Sequence, residues 1–380
     1  MNTETFIDLK ELSEDIRDGY IHAKFHPKYK ELMILNYSSK TCNEKSWTDL
    51  RRRSRGLVVN HLTGECINNP FPKFFNLSEE DLEEKYLDGS TSFSVENKLD
   101  GSLAIGFVYS NEMLWITKGA NMECSREIQL LWDSLISHLR DNEKQDVLKA
   151  LKGYTLLAEF ESPDYRIVKP QSRNQLTLLG IRYNNNEQKE MKLVEASTFL
   201  SNLNIPMSIN LGLDTRCMHM AEYKNIREVE QSILSLDRKG EFKEDFYEGV
   251  VIRYEDGKRI KIKTPTYVEN HALVNNATPK NTVKLWGKKG GEELKEMFSR
   301  LPEEVVELHE EYLEELETIE THLIQIADTV NSLYENFKDI VSFGDFAKRL
   351  DSISEELVGL CERAETIKPY KTLVKAIFFS

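Results

Sequence analysis

From about residue 85 to 265 the chain repeats short apolar strand patterns broken by turn residues, and after about residue 275 that pattern stops. This switch limits the fold more than any other feature, because period-two and period-3.6 patterns bury different faces. Strands are expected at 92–95, 103–109, 113–117, 155–161, 176–183, 249–254 and 259–263. Tyr-Ser-Asn-Glu at 109–112 and Glu-Asp-Gly at 255–257 read as hairpin connections. Helices are expected over 124–138, 142–151, 194–203 and 226–236. Strands follow strands here without a regular βαβ alternation, so the fold class is α+β. Beyond 275 only helix-period patterns remain, over 292–300, 303–337 and 345–367, with breaks at 299–302 and 341–344. Residues 276–380 therefore read as a separate all-helical domain.

A chain of 380 residues suffices for two domains with their own cores. The net charge of −14 argues against indiscriminate coating of nucleic acid. It leaves room for a local basic cleft, and Arg51–Arg55 and Lys258–Lys263 are basic islands. Five scattered cysteines with no CxxC pair give neither a disulfide framework nor a structural zinc site. No apolar run is long enough for a membrane span, and the polar start Met1-Asn-Thr-Glu-Thr lacks a signal-peptide pattern. No membrane association is expected, no obligate protein partner is evident, and a reducing cytoplasm is the expected setting.

Lys98 lies in Glu96-Asn97-Lys98-Leu99-Asp100-Gly101-Ser102, on a tight turn between two expected strands. A lysine presented there at a fixed position suits a covalent nucleophile, although Lys-x-Asp-Gly alone also describes an ordinary surface turn. Arg55 opens the apolar strand Gly56-Leu-Val-Val59, and Lys73 stands beside Phe74 and Phe75. A surface arginine and a lysine snorkelling over a core edge are the plainer readings of these two. Alternation in Ala158-Glu159-Phe160-Glu161 puts both carboxylates on one strand face, for metal, for ribose hydroxyls or simply for solvent. Glu248-Gly-Val-Val opens a hairpin whose return strand points Ile260 and Ile262 one way and Lys261 and Lys263 the other. Two lysines facing a cleft would hold a polyphosphate, while on an exposed edge they would block aggregation. Lys118 ends the strand after the Lys98 turn.

In this order the segments resemble the motifs of covalent nucleotidyltransferases, the superfamily of polynucleotide ligases and messenger-RNA capping enzymes. Ser-Arg55-Gly, Lys73-Phe-Phe-Asn, Lys98-x-Asp-Gly-Ser, Thr-Lys118-Gly, Glu159 seven residues before Arg166-Ile-Val, and Tyr267 four after Lys263 are most similar to the RNA ligase 1 family of T-even bacteriophages. The resemblance implies a nucleotidyltransferase domain of ATP-grasp-like antiparallel sheets over 1–275 and a small all-helical C-terminal domain over 276–380 that bears on RNA specificity. It implies ATP with Mg²⁺, for which Mn²⁺ can substitute, and RNA with 5′-phosphate and 3′-hydroxyl ends, tRNA among them, in RNA repair in a bacterial or phage-infected cell.

By the same resemblance Lys98 attacks the α-phosphorus of ATP, and the AMP then passes to an RNA 5′-phosphate before sealing. Burial and the nearby cations Lys261 and Lys263 are expected to lower the pKa of Lys98. Arg55 and Lys73 would bind phosphates and Lys118 would join the ATP site. Glu159 would accept from the ribose, and Glu248 would support metal or water contacts. Phe75 and Ile252 would neighbour the adenine, and Tyr37 would reach the phosphates. Glu292 and Glu293 match an acidic pair associated with metal, but helix N-termini favour acids anyway. The Glu-rich tail supports transfer of ligation rather than of a tRNA preference. A capping guanylyltransferase or DNA ligase would share Lys98 and the lysine pair, but usually adds an OB-fold that the sequence after 275 does not suggest. A degenerate binding module would have no use for the presented nucleophile.

Overall fold

The computed structural model describes residues 5–275 except 80, 166, 170, 185–189, 211–212 and 243–246, together with isolated positions 318 and 321. The chain divides into two compact units, Met1–Val268 and Glu269–Ser380. The expected helices beyond 275, with Glu292 and Glu293, and Arg166 lie outside the described residues.

Among the described residues twelve strands form three sheets. The first sheet joins β1 (Ile21–Phe25), β2 (Leu32–Tyr37) and β3 (Arg55–Asn60) in antiparallel order. Sequence patterning pointed to the strand after Arg55, whereas β1 is short and turns only Ile21 and Ala23 to the core. Leu32 and Val58 are fully buried on one face of this sheet, and Leu35, Leu57 and Val59 on the other.

β4 (Phe75–Asn76) and β5 (Phe93–Asn97) flank a hairpin of β11 (Gly249–Tyr254) and β12 (Arg259–Lys263), in the order β4-β12-β11-β5. The third sheet follows the order β10-β9-β8-β6-β7. Its strands are β6 (Ser102–Tyr109), β7 (Glu112–Thr117), β8 (Tyr154–Glu161), β9 (Gln175–Tyr183) and β10 (Ser208–Ile209). All its pairings are antiparallel except β9 with β10. The fold class is α+β.

Local chemistry explains the hairpin between β6 and β7. Ser110 and Asn111 both take positive φ, 48° and 61°, which a two-residue turn requires to match strand twist. The turn at Lys98 is different from the one expected. β5 and β6 belong to different sheets and do not pair, so residues 98–101 cross from one sheet to the other.

Helices cover the faces that face away from this crossing. Helix Ile226–Arg238 packs Ile226, Val229 and Ile233 on Val250, Ile252, Ile260 and Ile262 of the four-stranded sheet. Helix Met122–Leu135 packs Ile128 and Trp132 on the five-stranded sheet, with Trp132 5.5 Å from Trp115 between ring centroids. Cys42, Cys66, Cys124 and Cys217 are free thiols. Among the described residues no helix is long and apolar enough to cross a membrane.

Trp132 is wholly buried and far in sequence from the Lys98 crossing. Trp132→Ala should cost about 3–5 kcal/mol, measured as a lower urea midpoint. A loss under about 1 kcal/mol would contradict the docking of helix Met122–Leu135 as a core element.

Candidate active site

The crossing at 98–101 is fixed from both sides. The Lys98 N–H donates to the Gly249 carbonyl at 2.8 Å, tying the end of β5 to the start of β11. Gly249 has φ +134°, and a Cβ there would stand 2.0 Å from the Ile262 carbonyl oxygen. Gly101 needs its missing side chain for another reason: a Cβ would meet the Phe160 carbonyl oxygen at 2.4 Å. Asp100 is buried and takes three hydrogen bonds, from the N–H groups of Val168 (3.0 Å) and Lys169 (2.6 Å) and the Tyr267 hydroxyl (2.6 Å). Asp-Gly is thus a buried anchor and a close-packing point rather than a surface turn. Spacing alone could not reveal this, because the partners lie 68 to 167 residues away.

A cavity of about 430 Å³ opens beside the crossing, with Lys98, Arg55, Lys118 and Glu159 in its wall. Lys98 Nζ lies 2.8 Å from Glu248 Oε2, and Lys263 Nζ lies 2.8 Å from Glu248 Oε1. Glu248 is only 4% exposed, so one buried carboxylate holds both lysines. Burial pulls the Lys98 ammonium down, but Glu248 and Glu159 outweigh it and its pKa is raised. This reverses the expected lowering: the neighbouring carboxylates favour the ammonium by more than burial disfavours it.

Lys261 carries the depressed pKa instead, at about 7, through burial first and then Lys73, Lys98 and Lys263. Ile260 and Ile262 are buried on the opposite face, as alternation required. Glu159, also buried, is pushed up to about 8 by burial, with Glu248 and Glu161 adding to it against Lys98 and Arg55. Glu161 accepts from Gln171 at 3.2 Å and Thr177 at 3.4 Å, so the second carboxylate is held within the protein. Phe160 points into the core.

A second group of cations surrounds Tyr37. Lys118 donates to its hydroxyl at 3.2 Å, and Lys73 lies 5.5 Å from its ring centroid. Burial raises the Tyr37 pKa, but Lys118, Lys73 and Arg55 together bring it below the ordinary value. Lys73 also faces Trp47 and Phe75 at 5.7 and 5.2 Å. Arg55 Nη1 is buried without a hydrogen-bond partner among the described residues, although Arg55 as a whole lines the cavity. Such a donor is costly unless a ligand supplies its acceptor.

Two expected adenine neighbours stand elsewhere. Ile252 is fully buried in the core beneath the four-stranded sheet, and Val251 faces the cavity, one step along the alternation. Phe75 is buried against Trp47, with centroids 5.2 Å apart, while Phe74 lines the cavity. The basic islands are also partly committed inside the fold. Arg51 pairs with Asp15 at 2.6 Å, and Arg259 sends Nη2 to both Glu190 oxygens at 2.7 Å.

Among the described residues no group of three or more His, Cys, Asp or Glu side chains is placed to hold a metal ion. Glu248 and Glu159 are the hard oxygen donors beside Lys98. That is few for a protein-only metal site, and it fits Mg²⁺ held largely by phosphates and water.

A family model described as RNA ligase matches residues 53–267, more than half of the 380 residues, and the chain belongs to that family. A curated relative from Thermovibrio ammonificans, described as an RNA ligase, is 31% identical over 160 residues. That alignment covers 39% of this chain and 40% of the relative, so the chain spans less than half of that protein's length. Among solved structures an archaeal ATP-dependent RNA ligase shares 15% identity at TM-score 0.47, over 82% of this chain and 79% of that one. A protein described as an ATP-dependent DNA ligase from Aquifex aeolicus shares 18% identity at TM-score 0.45, over 88% and 81%. The family assignment rests on the sequence match.

The folded pKa of Lys261, about 7, lies below its ordinary 10.5. From 7 to 10.5 the unfolded chain therefore binds more protons, so stability rises with pH, and the cost of the charge is fully present below about 7. Lys261→Met should raise the melting temperature of the unliganded protein at pH 6 by about 2–4 °C, and by less at pH 9.5. An equal gain at both values, or none, would contradict a buried, unpaired ammonium.

Proposed function

We propose that this protein is an ATP-dependent RNA ligase that seals RNA 5′-phosphate and 3′-hydroxyl ends through a lysyl-AMP intermediate. The observation that carries the reading is Lys98, held 2.8 Å from buried Glu248 in the wall of a cavity rich in further cations. Family membership supports the reaction class, and the site geometry supports the division of labour.

In the first step the Lys98 nitrogen forms a bond to the α-phosphorus of ATP and the bond to pyrophosphate breaks. Lys98 must first lose a proton, and Glu248 Oε2 is within hydrogen-bond reach to accept it. Lys261, Lys263, Lys73, Arg55 and Lys118 offset the triphosphate charge, with Arg55 Nη1 gaining the acceptor it lacks. Glu159 faces the cavity and, with its pKa near 8, is largely protonated at neutral pH; it can then donate to a ribose oxygen as well as accept from a hydroxyl. Mg²⁺, which Mn²⁺ can replace, would be held by the phosphates with Glu248 and would supply charge neutralisation. In the second step AMP passes from Lys98 to an RNA 5′-phosphate, and Lys98 regains its amine. In the third an RNA 3′-hydroxyl attacks that phosphate, a phosphodiester forms and AMP leaves. Residues 276–380 would select among RNA ends, and tRNA repair is one use of such an enzyme.

Intact-mass measurement after incubation with Mg²⁺ and ATP should show one AMP adduct that is absent in Lys98→Ala. An adduct retained by that variant would overturn the assignment of the nucleophile. A GMP adduct in place of AMP would move the reading to capping chemistry.

A further inference from the structure

We propose that Asn210 sets the base preference of the nucleotide site by accepting a hydrogen bond from the 6-amino group of adenine. This rests on the nucleotidyl-transfer reading above and adds a residue-level account of why ATP would be taken.

Asn210 follows β10, is 7% exposed and lies in the cavity wall. Its backbone N–H donates to Leu178 at 3.0 Å, which fixes the residue beside β9. Its Nδ2 donates to the Asn97 carbonyl oxygen at 2.9 Å. A carbonyl only accepts, so this bond decides which end of the amide faces which way. The NH₂ end faces Asn97, and Oδ1 is left as the acceptor, with no partner among the described residues.

The mounting is rigid. Asn97 Oδ1 itself takes hydrogen bonds from the Tyr247 hydroxyl at 2.8 Å and the Asp214 N–H at 2.9 Å. Asn97 immediately precedes Lys98, so Asn210 Oδ1 is an oriented acceptor close to the nucleophile's backbone.

Charge distribution says which part of a nucleotide comes here. Arg55 and Lys118 stand in the cavity wall, with Lys73 beside them around Tyr37. Two further arginines near the cavity are already committed within the fold. Arg259 is paired through both oxygens of Glu190, and Arg253 lies 3.1 Å from Glu190 and 3.6 Å from Glu96. The remaining wall includes the apolar Val251 and Leu179. Phosphates on either side of Lys98 therefore belong at the Arg55 end, and a flat apolar base belongs between Val251 and Asn210.

An oriented carbonyl oxygen distinguishes purines at position 6. The 6-amino group of adenine donates to it, whereas the 6-oxo group of guanine or hypoxanthine would set lone pair against lone pair. The amide cannot turn to accommodate the oxo group without losing its bond to Asn97. Specificity would then come from repulsion of the wrong base as well as attraction of the right one.

The test compares AMP-type adduct formation on Lys98, as kcat/KM of the first step, with ATP, purine-riboside triphosphate (hydrogen at position 6) and inosine triphosphate (6-oxo). For the wild type, loss of one hydrogen bond should make purine-riboside triphosphate about 10-fold poorer than ATP, and inosine triphosphate should be poorer still. In Asn210→Ala the ATP to purine-riboside ratio should fall to within about 2-fold, and the penalty on inosine triphosphate should shrink. An ATP to inosine triphosphate ratio unchanged in folded Asn210→Ala would overturn the proposal. Should that variant not fold, the wild type decides: equal use of ATP and purine-riboside triphosphate would overturn it. Absence of any adduct with all three would instead sink the transfer reaction, and calorimetric binding of ATP against inosine triphosphate would still score Asn210, equal affinities overturning its role.

Discussion

Glu248 is the residue on which the site depends. Its two oxygens hold Lys98 and Lys263, one lysine from the crossing between sheets and the other from β12. Without that carboxylate two ammonium groups would face each other in a poorly solvated space, with Lys261 close by. Buried like charges repel strongly at low dielectric, so the lysines could not share the site in their charged forms. The positive φ of Gly249 and the Lys98 N–H bond to the same residue place this pairing in the backbone as well. Glu248, Gly249 and Lys98 act as one joint at the edge of the four-stranded sheet, where the chain leaves for the five-stranded one.

Around that joint the protein carries charge and polarity that its own fold leaves incompletely satisfied. Arg55 Nη1 is buried without a partner among the described residues, Lys261 is pushed towards neutrality, and Glu159 is pushed towards the protonated acid. Each departs from what stability alone would select. The two cations lack an anion, and a polyphosphate would provide it. The buried pairs Arg51–Asp15 and Arg259–Glu190 behave differently, since they are complete within the fold. Basic residues of the same sequence islands therefore divide into structural partners and groups that await a ligand.

The sequence was most readable where a side chain's role follows from its own strand. Both lysines of β12 stand opposite buried Ile260 and Ile262, and Phe160 separates Glu159 from Glu161, as a period of two requires. The hairpin at Ser110 and Asn111 was legible for the same local reason. Readability failed where a role depends on a distant partner. Asp100 looks like a turn residue until Val168, Lys169 and Tyr267 converge on it. The expectation for Lys98 named burial and the cations Lys261 and Lys263 but not the carboxylates Glu248 and Glu159 that outweigh burial, because only the folded chain brings those carboxylates beside it.

What the sequence determined by itself is the α+β class of the first 275 residues, the facing of the strands that carry Glu159 and Lys261, and the family, through ordered motifs that short-range patterns can carry. Only the tertiary structure decided which of those residues meet. Lys98, Glu159, Glu248 and Lys263 come from four segments on two sheets, and their contacts arise from sheet order and close backbone packing. Tertiary structure also decided that Val251 and Phe74 face the cavity while Ile252 and Phe75 are buried elsewhere. Adjacent apolar residues look alike in sequence, and a single step along a strand moves a side chain to the opposite face.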